Sequence, residues 1–327
     1  MKPTFLFTCK IADEDAREKL TKWIDIVEIE TSDPQVILDN LENKEGLIVH
    51  YTDHMMITKE IITRGKNLKI VGTTYGGTRQ NVEDIYALEK GLTVIHTGGS
   101  RPRPMAEYTL GLVLSSLLKI HNFNHYMKTT DPWPRRKFGR SRTLQNRKVG
   151  VIGYGLIGKG IIELFKHFTD NIFVCSRHLS EFSAKEIGLT KMELNQIFEE
   201  CEIIILAGGY TPETHHMIGK DQINRMQEEA LFVNIARGKM VDQQGLIEVL
   251  KTKNIFVALD VFEEEPLEEF SPLRNSDKVL LTPHCANNSI EFEERWQYLA
   301  TEIESYYNGM IPNTSLTLER AKTMSSS

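Results

Sequence analysis

The segment Val149-Gly150-Val151-Ile152-Gly153-Tyr154-Gly155-Leu156-Ile157-Gly158 constrains this chain more than any other. Gly153, Gly155 and Gly158 form a G-x-G-x-x-G pattern. Glycine triplets at this spacing also arise by chance, so the context decides. Here an apolar strand-like run precedes the triplet and a helical stretch, residues 159–168, follows it. A phosphate-binding turn requires that arrangement. Gly153 permits the tight turn, Gly155 lets backbone amides approach a pyrophosphate, and Gly158 lets the helix pack close to the strand. The helix N-terminus, at Leu156 and Ile157, supplies donors and partial positive charge.

The surrounding pattern fits. Strands are expected at residues 4–8, 24–29, 46–49, 68–73 and 92–96. Helical stretches lie between them, ending near 23 and spanning 34–43, 57–64 and 81–90. A breaker cluster, Gly98-Gly99-Ser100-Arg101-Pro102-Arg103-Pro104, then leads into a long apolar helix from Met105, with Pro104 in its first turn. The first domain crossing is placed there. Residues 122–147 read as a surface connection with a solvated basic run, Arg135-Arg136-Lys137. A second alternation starts at Lys148, with six strands at 148–152, 171–175, 202–207, 230–235, 255–260 and 278–281. One long amphipathic helix follows at 289–307, and the tail from Leu318 is expected to be mobile. Strand–helix alternation means parallel sheets with crossover helices. The fold class is therefore α/β with doubly wound parallel sheets.

Composition excludes several classes. A length of 327 residues suggests about two domains. With 40% apolar and 26% charged residues the chain can bury a sizeable core. The net charge is −6 and no basic block stands out, which argues against nucleic acid as a partner. The longest greasy stretch, residues 110–118, contains Ser115 and Ser116 and is too short for a bilayer. The mean hydropathy is −0.30. The N-terminus lacks the pattern of a secretory signal, so a soluble, cytoplasmic protein is expected. Cys9, Cys175, Cys201 and Cys285 show no zinc-like spacing and read as reduced thiols. His215-His216 and His121 with His125 lack ligand company, so no metal is expected.

The strand after the glycine loop ends Val174-Cys175-Ser176-Arg177-His178. An NAD site would place Asp or Glu near Ser176 for the ribose hydroxyls, and no acid stands there. Ser176 can hydrogen-bond a phosphate, and Arg177 offers a planar, permanent cation. NADP(H) is expected over NAD(H). The alternative is that Arg177 is an ordinary surface arginine.

Three further segments each follow an apolar strand: Val233-Asn234-Ile235-Ala236-Arg237-Gly238, Ala258-Leu259-Asp260-Val261-Phe262-Glu263-Glu264-Glu265-Pro266, and Leu280-Leu281-Thr282-Pro283-His284. Taken in this order after G-x-G-x-x-G, the chain resembles the D-isomer-specific 2-hydroxyacid dehydrogenases over residues 46–308. The resemblance implies two Rossmann-like domains, the substrate domain being discontinuous. It would comprise residues 1–101 and 286–327, with a dinucleotide-binding domain at 102–285. The helix after Pro104 resembles one that contributes to homodimers.

By the same resemblance, Arg237 would bind the substrate carboxylate and polarise the keto oxygen. His284 would give that oxygen its proton, and Glu265 would pair with His284. Asp260 would contact the nicotinamide carboxamide, and Ala236 and Thr211 would lie along the cofactor. Glu263 and Glu264 read as a solvated acidic turn. In the loop Thr74-Tyr75-Gly76-Gly77-Thr78-Arg79-Gln80-Asn81, Tyr75 and Gly76 would offer amides to the substrate. Thr78 and Gln80 depart from the family's glycine and aspartate. Arg79 is either a site for a second anionic group or a rim arginine. His50 and Tyr51 either line the same pocket or pack the loop. Cys285 and Ala286 replace a usual hydrophobic residue and glycine; Cys285 is either a small packing residue or an oxidation-sensitive thiol.

The implied activity is hydride transfer between NADP(H) and a small 2-keto or 2-hydroxy acid resembling glyoxylate or hydroxypyruvate. The rivals are an NAD-dependent dehydrogenase of 3-phosphoglycerate or another D-2-hydroxy acid, and a dinucleotide-sensing corepressor-like protein. No additional C-terminal regulatory domain is expected.

Overall fold

The computed structural model describes residues 2–323. The chain divides into two compact units, Met1–Arg101 with Ile290–Ser327, and Pro102–Ser289. The second crossing falls after Ser289 for a local reason. The backbone N–H groups of Cys285 and Ala286 donate to the Asp260 carboxylate, which ties that turn to the strand before it.

In the first unit, β1 (Thr4–Phe7), β2 (Asp25–Glu28), β3 (Gly46–Val49), β4 (Ile70–Thr73) and β5 (Thr93–His96) form a parallel sheet. Its order is β2-β1-β3-β4-β5. Side chains alternate between two cores, as the period of a strand requires. Leu6, Leu47, Val49, Val71 and Val94 point to one core. Phe5, Phe7, Ile48, Ile70 and Ile95 point to the other. The second core is completed by Trp296, Leu299 and Ile303 of the helix Arg295–Tyr307, so the two ends of the unit share one core. The Gln297 side chain donates to Asp13, the N-cap of the helix Glu14–Trp23, and tightens the same closure.

The second unit carries β6 (Val149–Ile152), β7 (Ile172–Cys175), β8 (Thr190–Lys191), β9 (Ile203–Leu206), β10 (Leu231–Asn234), β11 (Phe256–Leu259) and β12 (Val279–Leu281). All pair in parallel, in the order β12-β11-β10-β9-β6-β7-β8. The order reverses between β6 and β9, the switch point where doubly wound sheets gather ligands.

Four expectations need correction. The second sheet has seven strands, because the two-residue β8 adds to the edge of β7. Residues 122–147 are not all connection. The first long helix is Pro102–Leu117, Lys119 turns left-handed at φ +59°, and a second helix runs Ile120–Thr129. That helix is anchored by Asn122 and Tyr126, which donate to the Asp277 carbonyl and carboxylate. The segment 289–307 begins with a 3-10 turn, Ile290–Glu294, before the α-helix. The tail from Leu318 is a helix, Leu318–Thr323, docked by buried Ala321 and by Arg79, which donates to the Ala321 carbonyl. Residues 324–327 lie outside the described residues.

Buried His96 ends β5, and its Nδ1 accepts the Gly98 N–H. Burial, with lesser contributions from Arg320 and Arg101, pushes its pKa down to about 4. In the unfolded chain His96 takes a proton near its ordinary pKa of about 6.5. Its contribution to stability is therefore full above pH 6.5 and lost as pH falls toward 4. The expected size is about 3 kcal/mol at pH 4. Denaturant melts of the chain and of His96→Gln across pH 4–7 check this, the variant showing the shallower loss.

Candidate active site

Six loops, after β6, β7, β9, β10, β11 and β12, leave the carboxyl edge of the second sheet. The first follows β6. Gly153 has φ +108°, a conformation open to glycine. A Cβ there would lie 2.6 Å from the Gly208 backbone, and one at Gly158 would lie 2.1 Å from the Gly153 carbonyl oxygen. Both glycines are thus needed for the turn to close. Gly155 caps the helix Leu156–Phe165, and a Cβ there would meet nothing within 4 Å. The mouth of the turn is open next to an unblocked helix N-terminus, which suits a pyrophosphate.

Ser176 and Arg177 follow β7. Arg177 is exposed. It lies near enough to Glu213 to help hold that carboxyl below the ordinary range, after the Thr211 hydroxyl and a backbone N–H. Thr211 itself is braced by Thr214, whose hydroxyl accepts the Thr211 N–H at 2.6 Å. Gly208, from the loop after β9, is the backbone that Gly153 approaches; a Cβ at Gly208 itself would meet only ordinary contacts, with Met240 Cε at 3.5 Å and the Ile152 carbonyl oxygen at 3.6 Å.

Arg237 follows β10. Asn234, almost fully buried, accepts the Ala236 N–H at 3.0 Å and donates to the Arg237 carbonyl at 3.2 Å. This knot fixes the backbone, while the Arg237 side chain is exposed and donates to the Ala236 carbonyl at 2.7 Å. A Cβ at Gly238 would lie 1.8 Å from the Phe262 carbonyl group. The loops after β10 and β11 are therefore in backbone contact.

Glu265 and His284 follow β11 and β12. Glu265 Oε1 accepts the Phe262 N–H at 3.0 Å, and Oε2 lies 2.6 Å from His284 Nδ1. The acid thus holds the imidazole by one nitrogen, and the half-exposed ring presents the other. His284 adopts φ +51°, unusual for a residue with a side chain. Its N–H donates to the Asp260 carbonyl at 2.7 Å.

Asp260 is fully buried. Oδ1 accepts the Thr282 hydroxyl at 2.7 Å and the Cys285 N–H at 3.0 Å, and Oδ2 accepts the Ala286 N–H at 2.9 Å. These bonds shape the His284 loop. Glu263 departs from the solvated-turn reading. It pairs with His216 at 2.6 Å and accepts the Gln243 N–H at the start of a helix. Among the described residues, no group of three or more His, Cys, Asp or Glu is arranged to hold a metal ion.

In the first unit, Tyr75 packs against Tyr51, with ring centres 4.4 Å apart and ring planes tilted by 39°. The Arg101 guanidinium lies 3.8 Å above the Tyr75 ring and so close to Gly76 that a Cβ there would meet Nη1 at 2.6 Å. Sequence reasoning missed Arg101, since nothing in its residue type distinguishes it from Arg103. His50 is a loop-packing residue, held by the Thr8 and Ser32 hydroxyls at 2.8 and 3.1 Å. Arg79 is a structural cation. It pairs with buried Asp84 at 2.9 Å, so it does not serve as the site for a second anion.

A parallel sheet with a glycine phosphate turn at its switch point, and a Glu–His pair beyond it, defines a dinucleotide-dependent oxidoreductase. Comparison with known proteins gives the particular family. The sequence profile described as "D-isomer specific 2-hydroxyacid dehydrogenase, NAD binding domain" matches residues 110–286. A Staphylococcus epidermidis protein named with the 2-hydroxyacid dehydrogenases is 31% identical over 273 residues, 81% of this chain and 84% of that one. D-3-phosphoglycerate dehydrogenase of Methanocaldococcus jannaschii is 31% identical over 84% of this chain and 52% of that enzyme. The solved structure of Rhodotorula graminis D-mandelate dehydrogenase superposes with a TM-score of 0.84 over 97% of this chain and 98% of that one, at 19% identity. The chain belongs to the D-isomer-specific 2-hydroxyacid dehydrogenase family. It is an oxidoreductase using a nicotinamide dinucleotide, in a family that acts on small 2-hydroxy acids. No helix among the described residues is long and apolar enough to cross a membrane.

The contact at Gly238 is directly testable. Gly238→Ala forces the β10 and β11 loops apart, an overpacking expected to cost about 2 kcal/mol or more. Urea melts check it, and an unchanged midpoint would contradict the backbone contact.

Proposed function

We propose that this chain is an NADPH-preferring reductase of small 2-keto acids, with glyoxylate- or hydroxypyruvate-like compounds as leading substrates. The observation that carries the reading is the 2.6 Å pairing of Glu265 with His284 Nδ1. It orients the second ring nitrogen as a proton donor for a keto oxygen. Arg237, at the neighbouring strand end, binds the carboxylate in two-point fashion and favours negative charge on the keto oxygen as it develops. By the family resemblance, Tyr75 and Gly76 would offer backbone amides to a substrate carboxylate. A bound nicotinamide supplies the hydride that adds to substrate C2.

Gly153, Gly155, Leu156, Ile157 and Gly158 hold the pyrophosphate. Ala236 and Thr211 lie along the cofactor, and Asp260 serves it by shaping the loop that carries His284. Ser176 and Arg177 select the 2′-phosphate, which a carboxylate in their place would repel. We further propose a homodimer, supported by exposed Ile120, Met127 and Trp133 in and after the helix that continues Pro102–Leu117. A second reading, oxidation of 3-phosphoglycerate, draws on the phosphoglycerate dehydrogenase relative.

Three experiments test the proposal. Arg177→Asp is expected to weaken NADPH binding about 30-fold, the scale of one lost charge-assisted bond plus repulsion, and NADH binding far less. Equal losses by fluorescence titration would rule out the phosphate role. A panel of 2-keto acids and 3-phosphoglycerate, assayed with both cofactors, separates the substrate readings. His284→Ala should lower kcat by at least about 100-fold, and normal turnover would refute the assignment.

A further inference from the structure

Behind His284 lies a chain of polar groups that the proposed reaction does not use directly. The Tyr108 side chain leaves the helix Pro102–Leu117, and its hydroxyl lies 2.9 Å from Cys285 Sγ. The same hydroxyl donates to Asp260 Oδ1 at 3.4 Å. Asp260 in turn holds Thr282 and the Cys285 and Ala286 amides, so its carboxylate grips the loop on both sides of His284.

A tyrosine hydroxyl has one proton to give. It can serve both neighbours only in one direction: the Cys285 thiol donates to the Tyr108 oxygen, and the Tyr108 hydroxyl donates to Asp260. Burial, with Cys285 and Asp260 alongside, raises the Tyr108 pKa well above its ordinary value, so this proton stays in place at neutral pH. Hydrogen bonds arranged head to tail strengthen one another.

We infer that Tyr108 and Cys285 are positioning residues that hold the His284 loop in its left-handed conformation through Asp260. The inference rests on His284 being the proton donor. The need for such a hold is local. His284 has φ +51°, a conformation that a residue with a side chain rarely adopts. The loop keeps that conformation only where neighbouring bonds impose it. Tyr108 comes from a different element than Asp260 and Cys285, so it ties the loop to the body of the unit. Cys285 is then more than a small packing residue.

The test is a double-variant cycle on the full chain. Tyr108→Phe and Cys285→Ala are each expected to lower kcat about 5- to 10-fold, with smaller changes in the KM for the cofactor. The double variant should be no slower than the worse single, because both break one chain. Cys285→Ser keeps a donor in place and should restore most of the loss seen in Cys285→Ala. Multiplying losses, a full kcat in Tyr108→Phe, or no rescue by serine would overturn the inference. If Tyr108→Phe does not fold, the alanine–serine contrast at Cys285 decides alone. His284→Ala distinguishes the levels. If it turns over normally, the proton-donor reading and this inference fall together. If it is inactive while the cycle shows no coupling, only this inference falls.

Discussion

A buried carboxylate organises the site. Asp260 is fully enclosed. A charge in that position is tolerated only with donors supplied, since burying an unpaired carboxylate is costly. The chain supplies them from the segment just after β12, where the Thr282 hydroxyl and two amides converge on it. Satisfying Asp260 and shaping the His284 loop are the same set of bonds. Glu265 is free of that task and meets the ring from the loop after β11. One acid sets the backbone and another sets the side chain.

The other loops at this edge are located by the absence of side chains. Gly153 approaches Gly208 and Gly238 approaches Phe262, each at distances that no Cβ allows. Parallel strands about 4.8 Å apart deliver their carboxyl ends to one line. The bare backbones let the loops beyond those ends pack on one another, which holds exposed Arg237 and the Glu265–His284 pair at adjoining positions. A rigid sheet below and backbone contacts above give a site on loops the precision it needs.

Much of this was legible in the sequence, for physical reasons that also mark the limits. Buried parallel strands are continuous apolar runs, and those at β3, β9 and β11 stand out because nothing polar interrupts them. The glycine turn was legible because its spacing reflects backbone sterics. Contacts between distant residues were not legible. Arg79 reads as a rim cation until Asp84 and the tail carbonyl of Ala321 are seen around it. Glu263 reads as one of three solvated acids until His216 arrives from 47 residues away. The break at Lys119 has no sequence mark, since lysine adopts the left-handed region only where its surroundings require it. Asp260 could be located from its motif. Its burial depends on how Tyr108, Thr282 and Ala286 converge.

Charge shows the same division between structural and site residues. The chain carries a net charge of −6, so carboxylates are available to most cations. Arg17 pairs with Glu28, Arg79 with Asp84 and Arg147 with Glu202. Among the described residues, neither Arg177 nor Arg237 appears in such a pair, although both are exposed at strand ends. An arginine with a close carboxylate partner must give up that partner to bind an anion. One without it keeps its planar donors available, and the cost of binding is reduced to desolvation. In an acidic chain, leaving these two cations unpaired makes the sheet edge locally attractive to phosphate and carboxylate. The acids in the same region are directed elsewhere, Asp260 to backbone amides, Glu263 to His216 and Glu265 to His284.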